Sequence, residues 1–202
     1  MAVQNLSTLL IRAVTPDDWP AFEAFFEGRG GPKHCWCMVW RKSKDEARQL
    51  RSKIDADKAA GRPTPGRAFL KSAMRERIMG GVRVGLLAYD GDTPIAWCSV
   101  APRPTYRGLG GPEDFADEPG AVWSIACFFV AAKWRGAGLT RRLIDAAAEH
   151  ARDRGAKVLE AYPVAADSPS YRFMGRVPVF AEAGFSAVGA AGKRRNVMRK
   201  AL

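Results

Sequence analysis

The chain reads as an α/β fold, an α+β sandwich whose mixed, largely antiparallel central sheet carries helices on both faces. Three observations predict it. Helix-period and strand-period segments are interleaved along the 202 residues. Two apolar runs meet at Asp90-Gly91-Asp92-Thr93, a hairpin signal that makes neighbouring strands antiparallel. The longest apolar run, residues 122–130, passes through a glycine-rich turn into an amphipathic helix. A doubly wound parallel sheet is the less natural alternative.

Each element has its own signal. Residues 9–12 form a short strand, and Thr15-Pro16-Asp17-Asp18 opens a helix with proline and acid in its first turn. Trp19, Phe22, Phe25 and Phe26 give that helix its apolar face, and glycines at 28–31 end it. Two basic helices follow at 44–60 and 65–79, with stripes of Ala47, Leu50 and Ile54, then Phe69, Leu70, Ala73, Met74 and Ile78. After Gly80-Gly81 the period changes to that of strands, at 82–89 and 94–100. Residues 101–120 are rich in Pro and Gly and read as a long loop. The strand 122–130 and its helix come next, ending near Arg154-Gly155. A strand at 158–164, a short helix at 178–183 and strands at 185–188 and 196–199 complete the order.

Size and composition suit one domain across 1–202, with a basic helical insertion at about 41–80. The longest apolar run falls short of the roughly 20 residues of a membrane helix, and the N-terminus lacks a secretory start, so a cytoplasmic protein is expected. Four cysteines in such a chain do not suggest a disulfide framework. Cys98 and Cys127 read as small buried hydrophobes of strands. Cys35-Trp36-Cys37 beside His34 reads as a packed turn rather than a metal site, since four ligands in spaced pairs are lacking. The net charge of +11 favours polyanionic partners or simply solubility. Residues 41–77 hold twelve Lys/Arg against five Asp/Glu, and the last ten residues hold five basic and no acidic side chain.

A strand that stops at a glycine turn and feeds a helix leaves unpaired N–H groups at the positive end of the helix dipole, an anion site. No Gly-Lys-Ser/Thr follows, which excludes a P-loop, and a third glycine is missing for a dinucleotide fingerprint. The pattern is Arg135-Gly136-Ala137-Gly138-Leu139-Thr140. Arg107-Gly108-Leu109-Gly110-Gly111 looks similar but follows no apolar run and opens no helix, so it reads as a turn.

The 135–140 stretch, with its lead-in 130–136, resembles the acetyl-coenzyme A motif of the GNAT superfamily of N-acetyltransferases. The first strand with Thr15-Pro16-Asp17-Asp18, the hairpin before the long loop and the segment 179–185 match in the family's order, so the resemblance spans about 9–200. It implies acetyl-CoA as donor, with the amides of Gly136, Ala137, Gly138, Leu139 and Thr140 holding its pyrophosphate beside Arg135. Phe129 and Val130 would run along the pantetheine arm, with the Val130 amide donating to the thioester oxygen.

The family's frequent acid, a tyrosine, is replaced by Phe180. Tyr171 and Tyr162 are the substitutes, and Glu160 is the candidate base. Trp36, Trp40 and Tyr106 are expected to line the acceptor pocket. The implied reaction is direct acetyl transfer to a primary amine of a small acceptor. Alternatives are an acyl or aminoacyl transferase using tRNA, and a non-catalytic CoA-binding module.

Overall fold

The computed structural model describes residues 6–63, 65–115, 117–118 and 120–202. Seven strands build one sheet: β1 (Leu10–Ala13), β2 (Leu86–Asp90), β3 (Thr93–Pro102), β4 (Val122–Val130), β5 (Val158–Ala161), β6 (Ser186–Ala191) and β7 (Arg195–Ala201). Their order is β1-β2-β3-β4-β5-β7-β6, and only β4 and β5 run parallel. The mixed, largely antiparallel sheet read from the sequence is therefore present.

Helices cover both faces. The helix α4 (Leu139–Arg152) buries Leu143, Ile144, Ala147, Ala148 and Ala151 against one face, at the i, i+3/i+4 spacing of its sequence. It is joined there by Phe180 of α5 (Val177–Glu182). The other face takes α1 (Trp19–Glu27), through Trp19, Phe22 and Phe26, and α3 (Arg67–Met79), through Leu70, Ala73, Met74 and Ile78. The basic stretch is thus woven into the core through α3. Its first helix, α2 (Lys44–Ala59), starts at a capping box in which Ser43 and Glu46 satisfy each other's backbone amides.

Several strand boundaries differ from the sequence reading. β2 begins at Leu86, not at 82, because Gly85 sits at φ +148°, where a Cβ would lie 2.1 Å from the Cys98 carbonyl oxygen. The preceding Val84 carbonyl accepts from Arg41 instead of from a ladder. β5 ends at Ala161, and Val164 makes isolated bridges to Arg176 and Arg195. β6 and β7 are longer than the sequence suggested.

β4 is the strand that matters for function. It pairs with β3 from Trp123 to Val130, but a bulge opposite Ser99/Val100 leaves Ala126 without a partner residue. Its pairing with β5 stops at Ile125↔Ala161. From Ala126 to Val130 the edge on the β5 side therefore has no strand, and a wedge opens between the two parallel strands.

Candidate active site

The turn after β4 is shaped by two glycines. Gly136 and Gly138 both stand at φ +81°, in the left-handed region that side chains disfavour. Gly138 is the N-cap residue of α4 and offers no side-chain acceptor. Arg141 and Arg142 return their amides to the Gly138 carbonyl, at 3.1 and 3.4 Å, which leaves the amides of Leu139 and Thr140 as the outward donors of the first turn. The Arg135 Nε donates to the Val130 carbonyl at 3.0 Å and ties the turn to the strand end. A cavity of about 300 Å³ opens here, lined among others by Val130, Arg135, Gly136, Gly138, Leu139 and Thr140. Six of the eight residues expected to hold a cofactor thus share one hollow. Trp134 also lines it, with a buried indole N–H that meets no acceptor among the described residues.

Backbone parity decides what β4 offers. The Ala131 amide donates to the Ile95 carbonyl at 2.9 Å, so it points to β3. Alternation along an antiparallel pair then turns the amides of Val130 and Phe128 to the opposite edge, the one β5 has left. Side chains alternate as well. Phe129 faces α1, with its ring 4.8 Å from that of Phe25, while Val130 and Phe128 face the α4 side. Phe129, expected along the cofactor arm, turns its backbone groups to β3 and its ring to α1, so it does not face this edge.

The remaining expected residues fall into two groups. Trp40, Tyr106 and Tyr162 cluster with Ala126 and Met174 beside the bulge. Tyr171 joins them, its ring 6.4 Å from that of Trp40, and stands at φ +59°, a strained conformation for a tyrosine. Tyr106 takes a 2.7 Å hydrogen bond from Arg41, and its hydroxyl is pushed up to about 12 by burial, which the nearby Arg41 charge opposes.

Trp36 and Glu160 sit elsewhere than expected. The Trp36 ring is completely enclosed and stacks on Trp19 and Phe26 in the α1/α3 core, so it presents no face to a ligand. Glu160 is also fully enclosed. It accepts from Arg199 Nε at 2.7 Å and from the Tyr162 hydroxyl, with Arg103 at 3.5 Å. Such a carboxylate is committed to neighbouring cations and has no path to an incoming amine. Tyr162, buried and bonded to that carboxylate, has its hydroxyl proton held far more tightly than usual, first by burial and then by the Glu160 charge. It is poorly placed to serve as an acid.

Cys37 and Cys127 pack as buried or half-buried thiols 3.3 Å apart, and Trp97 Nε1 donates to Cys37 Sγ at 3.2 Å. No group of three or more His, Cys, Asp or Glu side chains among the described residues is arranged to hold a metal. No described helix is long and apolar enough to cross a membrane.

A family model described as "Acetyltransferase (GNAT) family" matches residues 47–177. The chain belongs to this acetyltransferase family. No curated protein sequence matches it. Among solved structures, a putative GNAT acetyltransferase from Desulfovibrio desulfuricans superposes with a TM-score of 0.53 at 17% identity, covering 96% of this chain and 99% of the other. The aminoglycoside acetyltransferase AAC(6')-Ib, crystallised with coenzyme A, gives 0.53 at 16%, covering 96% and 95%. The GNAT domain of S. lividans PAT gives 0.53 at 19%, covering 95% and 89%. At these identities the likeness concerns the fold.

Three contributors escaped the sequence reading. The Phe128 amide follows only from the parity of a bulged pair. Arg107 and Arg195, which flank Trp40 with guanidinium carbons 4.9 and 4.4 Å from its ring, are 88 residues apart and share no local pattern.

Proposed function

We propose that the chain, acting as one N-acetyltransferase domain over 1–202, transfers an acetyl group directly from acetyl-CoA to a primary amine. The observation that carries this reading is the shared hollow of Gly136, Gly138 and Val130 at the foot of an open strand edge. Coenzyme A supplies the acetyl thioester. The Leu139 and Thr140 amides, at the positive end of α4, bind its pyrophosphate, with Arg135 alongside. The Thr140 hydroxyl adds a further donor. The pantetheine amides pair with the Phe128 and Val130 backbone as an added strand would.

In this scheme the Val130 amide donates to the thioester oxygen as it gains charge during attack. The amine enters from the side of Trp40 and Tyr106, where the bulge and Tyr171 lie. Its nitrogen bonds to the acetyl carbon, the carbon–sulfur bond breaks, and Tyr171 protonates the departing thiolate. The amine is deprotonated by solvent, since the buried Glu160 cannot reach it. An RNA-borne partner draws less support, because Arg48, Arg62, Arg67, Lys71 and Arg77 of the basic stretch are engaged in ion pairs within the fold.

Calorimetry with acetyl-CoA tests the donor half. Binding should appear with micromolar affinity and be lost in Gly138→Glu, which sets a carboxylate at the anion site. Free-thiol release with an amine panel tests the rest. Binding without thiol release from any amine would leave a CoA-binding module in place of an enzyme.

A further inference from the structure

The proposed acceptor side carries two arginines: the half-buried Arg195, whose Nη1 donates to the Leu109 carbonyl at 2.9 Å, and the exposed Arg107, which lines a cavity that also holds Glu113, Asp114 and Glu118. Arg107 and Arg195 both lie over the Trp40 ring, at 4.9 and 4.4 Å, and Arg195 also stands 5.7 Å from the Tyr171 ring. Among the described residues neither guanidinium has a carboxylate within ion-pairing distance, although Arg12, Arg77, Arg103, Arg141 and Arg199 all do. Burial disfavours the Arg195 cation, Tyr171 and Tyr162 oppose that effect, and Arg107 adds a smaller repulsion. Lys42 is likewise held below its ordinary range by burial, with Arg107 again adding repulsion.

Two further observations point to a ligand. Trp40 is nine-tenths buried, and its indole N–H has no acceptor among the described residues. Arg195 and Tyr171 also line a cavity of about 280 Å³ with Lys193 and Arg194, and no acidic side chain stands in its wall. Arg195 and Lys42 are partly desolvated beside the exposed Arg107, and an anion bound there relieves the repulsion among them. Planar guanidinium groups stacked on an indole are set to receive an oxyanion with directed hydrogen bonds.

We propose that the acceptor carries an oxyanion beside its amine, a carboxylate or phosphonate, and that Arg107 and Arg195 bind it on the Trp40 platform. This rests on the acetyltransferase reading and narrows its substrate class to amino acids and their analogues. It argues against polycationic amines, which the same charges repel. The anion seat also orients the acceptor, leaving its amine toward Tyr171 and the β4 edge.

The test is equilibrium binding, independent of turnover, with a panel of N-acetyl amino acids and aminophosphonates and their matched neutral amides, followed by tryptophan fluorescence and calorimetry. At least one anionic member should bind about tenfold or more tighter than its neutral partner. That margin should shrink in Arg107→Gln and in Arg195→Gln, while acetyl-CoA binding stays intact. Arg107→Gln, at an exposed side chain, guards against misfolding as the cause. Equal binding of anionic and neutral members, binding by none, or an unchanged margin in both variants overturns the proposal. A charge-selective site without thiol release from acetyl-CoA would keep the anion seat and remove the acetyl-transfer reading instead.

Discussion

Arg199 grips Glu160 with its Nε at 2.7 Å while its Nη1 reaches both carboxylate oxygens of Asp114, also at 2.7 Å. One side chain of β7 thus joins a buried residue of β5 to the long loop above it. Arg199 also donates to the Pro112 carbonyl at 3.1 Å, and Arg103 donates to the same oxygen at 2.6 Å. Glu160 is the fixed point of this lattice. Gly111 passes so close that a Cβ there would lie 3.1 Å from Glu160 Oε2.

Glu160→Gln should therefore act on stability. It leaves the nearly buried Arg199 with the exposed Asp114 as its one carboxylate among the described residues, and a loss of about 3 kcal/mol is expected. Urea midpoints would measure it. Folded variant protein should keep its acetyl-transfer rate, whereas a general base would lose rate at constant stability.

The two tryptophans of the early segment should separate in the same way. Trp36→Ala empties a fully enclosed site and should cost about 3–5 kcal/mol. Trp40→Ala removes the platform under two guanidinium groups, so the acceptor KM should rise with little change in the acetyl-CoA KM. A Trp36→Phe variant with a raised acceptor KM and normal stability would reverse these assignments.

Tyr171→Phe should lower kcat by about a hundredfold, the low end of general-acid effects, without weakening acetyl-CoA binding. A donor with a better leaving thiol should recover most of that loss. Equal losses with both donors would place Tyr171 outside the proton path.

His150 gives the fold an acid sensitivity. Its pKa is lowered from 6.5 to about 4, first by burial and then by the Arg154 and Arg83 charges. The unfolded chain therefore takes up this proton before the folded one does. The contribution is complete above pH 6.5 and is lost as pH falls toward 4. Stability curves at pH 7 and 5 should differ less in His150→Gln than in the parent chain.

How much of this was legible in the sequence depends on the range of the physics involved. The helix α4 and the turn before it are local: a stripe at helical spacing and two glycines in forced conformations. Both could be read in order along the chain. Gly85 could not, because the carbonyl that crowds it belongs to Cys98 on the next strand. Trp36 and Trp40 lie four residues apart with the same chemistry, and only their neighbours decide that one is core and the other a platform. Glu160 looked available because alternation shows which face a strand residue takes but not which cation waits there. Arg107 and Arg195 meet only after the loop and β7 fold over the same indole, so no window of sequence contains their pairing.

The open edge of β4 also divides the molecule by how its parts are assembled. Everything proposed to bind the donor comes from one continuous run, residues 128–140, while the acid proposed for its thiolate, Tyr171, lies outside that run. The acceptor wall is assembled from Trp40, Arg107, Tyr171 and Arg195, each on a different segment. Trp40, Arg107 and Arg195 can each be changed without touching the donor-binding run, so acceptor choice and donor binding can be altered separately.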